Sequence, residues 1–170
     1  QHVVNVASVK HRSPFRYPGG KTWLVPRIFN WLSSIERPKE YIEPFSGGAI
    51  VGLTVAFENL ADHVTLVELD DQVASVWNSI LTDDEGEWLA ERIEKFSCTE
   101  RNVQLLLSQE HVAGRERAFQ TIVQNRTAHG GILAKGAGLV KNGENGKGLS
   151  SRWYPETLAR RIRDIRRIRD

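Results

Sequence analysis

The chain reads as an α/β domain that carries a mostly helical insertion. Two observations predict this. The segment from Tyr41 to Asp71 runs strand, glycine turn, helix, strand and acid within about 30 residues, which is the βαβ order. After Thr82 the character changes to amphipathic helices followed by a long basic, glycine-rich loop.

The 170 residues suit one domain with an insertion, and 40% hydrophobic with 26% charged residues is ordinary for a globular protein. No apolar run has the roughly 18 residues that a membrane helix needs, and no secretory signal is visible. The single cysteine, Cys98, cannot form an internal disulfide, so a reducing cytoplasm is the expected setting. There is no methionine, and an arginine-rich helical pattern runs to the end. Both lead to the expectation that the sequence is a piece of a longer protein.

The elements follow in order. Residues 1–12 read as a loose leader, and Ser13 to Lys21 as a loop, by two prolines and two glycines. Thr22 is expected to cap a helix from Trp23 to about Ile35. Its apolar face would be Trp23, Leu24, Ile28, Trp31, Leu32 and Ile35, with Pro26 in the tolerant first turn. Tyr41-Ile42 ends a first strand. Ala49 to Asn59 reads as helix, Asp62 to Glu68 as a second, buried strand, and Asp71 to Leu81 as helix. Asp83 to Phe96, Thr99 to Gln109 and Arg115 to Gln124 read as helices. Residues 129–148 form the basic loop, and a last helix starts at Pro155 with Leu158, Ile162, Ile165 and Ile168 on one face.

Charge is unevenly placed. Residues 81–110 hold eight acids against three bases, and residues 111–170 hold thirteen bases against five acids. The basic part suits a phosphate backbone, and a solvated helical surface explains it about as well. The histidines are scattered and bring no metal-site spacing. Neither a phosphate-binding Walker loop nor a nucleophile elbow occurs.

Glycines at the first βα turn let a ligand approach the backbone. Glu68 follows Gly47 by 21 residues, where an acid can accept hydrogen bonds from a ribose. The spacing is not a full dinucleotide fingerprint, and a tight turn with a surface acid explains it equally well.

Three motifs go further. Arg16-Tyr-Pro-Gly-Gly-Lys21, Glu43-Pro-Phe-Ser-Gly-Gly48 and Val67-Glu-Leu-Asp-Asp71 resemble, in order and spacing, the motifs of the Dam-like adenine-specific DNA methyltransferases. The family's usual Glu-Pro-Phe-x-Gly-x-Gly differs here: the second glycine comes one place early, with Ala49 in its slot. Asn125-Arg126-Thr127 with Gly130-Gly131-Ile-Leu133 is similar to a fourth segment, so the resemblance spans residues 13–80 and about 125–161.

The resemblance implies a Rossmann-like three-layer methyltransferase domain with a helical target-recognition insertion. Residues 1–82 would bind S-adenosylmethionine, residues 83–152 would recognise DNA, and residues 153–170 would return to the catalytic domain. Tyr17, Gly20, Lys21, Glu43, Phe45, Ser46, Gly47 and Gly48 would surround the cofactor. Glu68 would hold its ribose and Leu69 would flank its adenine. Asn125, Arg126, Lys135, Lys141, Lys147 and Arg152 are the candidates for DNA contact, although Asn125 equally suits a buttress, and a mobile surface is the alternative reading of the loop. The implied reaction is site-specific methylation of the adenine amino group in duplex DNA, by a monomer, in settings that include restriction–modification. The family's Asp-Pro-Pro-Tyr motif does not occur in these residues and is expected beyond Asp170, so no catalytic residue is named. A small-molecule methyltransferase explains residues 41–70 but not the basic loop. A non-catalytic DNA-binding protein retaining the cofactor fold is the other alternative.

Overall fold

A computed structural model describes residues 5–17, 19–131, 133–134, 137–143 and 146–169. The chain forms two compact units. One comprises the residues up to Ser13 with Gly19–Leu69, and the other comprises Pro14–Pro18 with Asp70–Arg169.

In the first unit a 3-10 turn over Lys21–Leu24 leads into α1 (Val25–Ser33). Leu24, not Thr22, precedes α1, and no side chain caps it. Strand β1 (Glu40–Pro44), helix α2 (Ile50–Phe57) and strand β2 (His63–Val67) follow. The two strands pair in parallel, with Ile42 opposite Thr65 and Pro44 opposite Val67. A parallel pair needs a crossover, and α2 supplies it.

Helix α2 is apolar almost all round, and Ile50, Val51, Leu53 and Val55 are buried. Gly52 is the point of closest approach. A Cβ there would stand 2.7 Å from both the Glu43 carboxylate and Leu66 Cδ2, so only glycine lets the helix lie on this face. Val25 and Leu32 of α1 complete the packing, joined by Ile28 and Phe29.

Two expectations fail in this unit. Trp23, Trp31 and Ile35 were expected on the buried face of the first helix, yet they are 60%, 54% and 44% exposed. The 3-10 turn breaks the helical phase, and the buried stripe runs through Val25 and Leu32 instead. Strand β2 was expected to be buried, yet no residue of it is fully so. One face of each strand meets α2, while Ile42 and Val67 stay about half exposed.

The second unit is helical: α3 (Asp71–Leu81), α4 (Asp83–Lys95), α5 (Glu100–Leu107), α6 (Gly114–Thr127) and α7 (Pro155–Arg167). Asp70 starts α3, its carboxylate accepting from the Gln72 and Val73 N–H groups. Helix α3 packs on α6, and α4 on α7. Leu89, Ile93, Phe119, Ile122 and Ile162 are fully buried at the centre. Gly86 lets α7 approach α4, since a Cβ there would lie 2.6 Å from Arg166 Cδ.

The acidic and arginine-rich helices expected from the charge pattern face each other. Arg163 pairs with Glu87 and Glu94, Arg166 with Glu87, and Arg169 with Asp83. Much of the arginine charge on α7 is therefore matched within the unit. Trp153 is buried against Phe96, which stacks edge-on to Phe119, so this aromatic closes the core. Among the described residues no helix is long and apolar enough to cross a membrane.

Candidate cofactor site and nucleic-acid contacts

The glycine turn after β1 is built by unusual backbone. Phe45, Gly47 and Ala49 all have positive φ, at 55°, 51° and 50°. Two of the three carry a Cβ, so the conformation is strained and needs support. Support comes from β2 and from within the turn. The Ser46 N–H donates to the Val67 carbonyl at 2.9 Å, and the Ala49 N–H to the Ser46 carbonyl at 2.7 Å.

Glu68, the residue directly after β2, turns its carboxylate onto this loop. Oε2 accepts from the Gly47 N–H at 2.6 Å and from Ser46 Oγ at 3.5 Å, and Oε1 accepts from the Leu69 N–H at 2.9 Å. The acid and the glycine turn, 21 residues apart in sequence, are in direct contact because β1 and β2 end side by side. Two large apolar side chains flank them, Phe45 at 79% and Leu69 at 87% exposure.

Glu43 is 2% exposed, and its Oε2 accepts from the Gly52 N–H at 2.6 Å. Lys21 Nζ lies 2.8 Å from Glu43 Oε1 and donates to the Phe45 carbonyl at 2.8 Å and the Pro44 carbonyl at 3.4 Å. Gly20 and Gly48 are half-buried, and Gly20 begins the turn that ends in α1. The structure thus brings Gly20, Lys21, Glu43, Phe45, Ser46, Gly47, Gly48, Glu68 and Leu69 into one unit. Tyr17 belongs to the other unit, where it is 43% exposed with its ring edge-on to Phe15.

The candidates for DNA contact divide. Asn125 is 1% exposed. Its Oδ1 accepts from the Arg16 N–H at 2.8 Å, and its Nδ2 donates to the Arg16 carbonyl at 2.9 Å and the Gly131 carbonyl at 3.0 Å. Arg126 is buried too and donates to the Pro14 carbonyl. Burial, then the charges of Arg161 and Arg16, pull its guanidinium down to about 10. Both side chains hold the Pro14–Tyr17 loop, a contact more than 100 residues away in sequence that no local pattern signals. Gly131 fits there because a Cβ would stand 2.6 Å from the Arg16 carbonyl.

Lys141 and Lys147 are exposed, Arg152 is half-buried, and Lys135 lies outside the described residues. The loop carrying the lysines returns to α6 through an isolated bridge between Ala128 and Leu139. The Val140 N–H also donates to the Thr127 carbonyl at 2.8 Å.

The model of the D12 class N6 adenine-specific DNA methyltransferase family matches residues 17–124. A comparison with curated proteins gives no match. The matched stretch contains Lys21, the Glu-Pro-Phe-Ser-Gly-Gly turn and Glu68, and stops one residue short of Asn125. It covers well over half of the chain, and the mixed helix–strand structure with its small parallel sheet is compatible with an α/β methyltransferase. The chain therefore belongs to the D12 class N6 adenine-specific DNA methyltransferase family, enzymes that methylate adenine in DNA.

Proposed function

We propose that the chain seats S-adenosylmethionine at the adjoining C-terminal ends of β1 and β2, for methyl transfer to adenine in duplex DNA. The observation that carries this reading is the contact between Glu68 and the Gly47 N–H at 2.6 Å. It sets an acid against the glycine turn, with exposed apolar side chains at Phe45 and Leu69, and this supports a nucleoside seat. In open α/β sheets, ligands bind outside the carboxyl ends of the strands.

The residues present fit the cofactor. Glu68 puts a carboxylate, the kind of acceptor a ribose hydroxyl donates to, at the end of β2 beside the glycine turn. Leu69 offers apolar surface to an adenine ring, and Phe45 offers it to the methionine chain. Bound there, S-adenosylmethionine supplies an electrophilic methyl group on its sulfonium. The protein's part is positioning: Glu68 fixes the sugar, and the strained turn from Phe45 to Ala49 fixes the backbone that faces the ligand.

In this reading residues 1–82 form the cofactor part of a Rossmann-like three-layer domain. Residues 83–152 form the target-recognition insertion, and residues 153–170 return to the catalytic domain. Lys141, Lys147 and Arg152 attract the DNA backbone, and Lys135 joins them by its place in the same loop. Burial directs Asn125 and Arg126 inward, so they enter the proposal as supports of their own unit. A monomer acting in the cytoplasm, in a setting such as restriction–modification, completes the proposal.

Titration calorimetry with S-adenosylhomocysteine tests the seat. Glu68→Ala should weaken binding about tenfold or more, the value of one or two hydrogen bonds to a charged group. Glu68→Gln, which keeps an acceptor for Gly47, should retain the turn but lose part of the affinity. Wild-type affinity in both variants removes Glu68 from the site.

A further inference from the structure

Lys21 was expected among the residues that surround the cofactor, but its surroundings give it another task. An ammonium has three N–H donors. Lys21 Nζ donates to the Phe45 and Pro44 carbonyls, at 2.8 and 3.4 Å, and forms an ion pair with Glu43 Oε1 at 2.8 Å. Glu43 is itself fixed, since it is 2% exposed and its other oxygen accepts from the Gly52 N–H of α2. A carboxylate anchored to a buried helix thus holds an ammonium, and that ammonium holds the carbonyl of Phe45. Phe45 is the residue whose backbone is left-handed, at φ 55°, and whose side chain is 79% exposed.

We infer that Lys21 and Glu43 are positioning residues that hold Phe45 in its strained conformation, so that its side chain is presented to the ligand, and that Lys21 does not contact the cofactor's amino-acid end. The inference rests on the seat proposed above. Loss of the pair lets Phe45 relax into an ordinary backbone region and withdraws the apolar surface from whichever part of the ligand it meets.

Two ligands separate this role from direct contact. S-adenosylhomocysteine carries the amino-acid end, and 5′-methylthioadenosine lacks it. Calorimetry on Lys21→Met should show both affinities falling by the same factor, about tenfold. The substitution should add little in a Phe45→Ala background, where there is no ring left to position, and Lys21→Arg should restore part of the loss. Glu43→Gln keeps an acceptor for Gly52 and should weaken both ligands alike, so it carries the test if Lys21→Met fails to fold by circular dichroism. A loss confined to S-adenosylhomocysteine, or full additivity with Phe45→Ala, overturns the positioning role. Wild-type protein that binds neither ligand overturns the seat itself, a result distinct from either pattern among the variants.

Discussion

The glycine turn of the first unit and the helical centre of the second handle polar groups in opposite ways. At the turn, backbone is forced into positive φ at Phe45 and Ala49 while large apolar side chains face outward at Phe45 and Leu69. At the centre of the second unit the apolar side chains are inside, the buried Asn125 amide donates to the Arg16 and Gly131 carbonyls, and Arg126 donates to the Pro14 carbonyl. The difference teaches which kind of irregularity points to a ligand. Strain combined with exposed apolar surface has no use within the first unit itself, and strained residues cluster where function requires them. A buried polar side chain with its partners in place already has a use, which is stability.

The sharpest way to break this contrast is at Asn125. If it is a support, Asn125→Ala leaves the Arg16 N–H and two carbonyls without their partner. Each lost hydrogen bond costs about 1 kcal/mol, more at the buried Gly131 carbonyl, so a loss of roughly 2–3 kcal/mol is expected. Urea denaturation reads it. DNA affinity of the folded variant should change little. A variant that melts like wild type but binds DNA poorly would return Asn125 to base readout and erase the distinction between the two regions.

Much of the fold was legible because its signals are local. Asp70 followed by apolar residues at helical spacing marks α3, and the structure starts it at Asp71 and ends it at Leu81 as expected. Pro155 marks the start of α7 in the same way. The strands were legible as strands, because β-branched residues fit a pleated surface, but composition does not say what covers them. Hence β2 was misread as buried. Trp23 and Trp31 were misread because a 3-10 turn shifts the phase that the helical count assumes. The turn and the acid of the candidate site could be read from their spacing. The partners of Lys21 and Asn125 could not, since donors are visible in a sequence but the long-range groups they meet are not.

A smaller effect sharpens the comparison from the outer side of the second unit. Lys141 and Lys147 are exposed, in contrast to Asn125 and Arg126. Each lysine that neutralises a phosphate contributes about 0.9 to the salt slope of duplex binding. Lys141→Ala with Lys147→Ala should therefore reduce the slope of log affinity against log salt by about 2, with stability unchanged. A mobility-shift series over a range of salt measures it, and an unaltered slope clears the loop of a phosphate role.

The smallest expected effect lies in the pairing of α4 with α7, which tests whether charge in the second unit is structural. The hydrogen bond from Arg163 is the main cause holding the Glu94 carboxyl below the usual carboxylate range, with the Arg163 and Lys95 charges adding to it. A carboxylate with a depressed folded value contributes stability that is fully present above its unfolded value of 4.5 and is lost as pH falls through the folded one. Glu94 is about a third exposed, so solvent screening limits the contribution to under about 1 kcal/mol. Glu94→Gln should thus cost a few tenths of a kcal/mol at roughly pH 7 and less at roughly pH 3, because the charged carboxylate's advantage is lost as pH falls through its folded value. Paired urea melts at the two pH values measure the difference. A cost that stays constant with pH would mean that Glu94 acts through packing rather than charge. The arginines of α7 would then be less firmly tied to α4 than their ion pairs indicate, and the helix would rejoin Lys141 and Lys147 as a surface open to DNA.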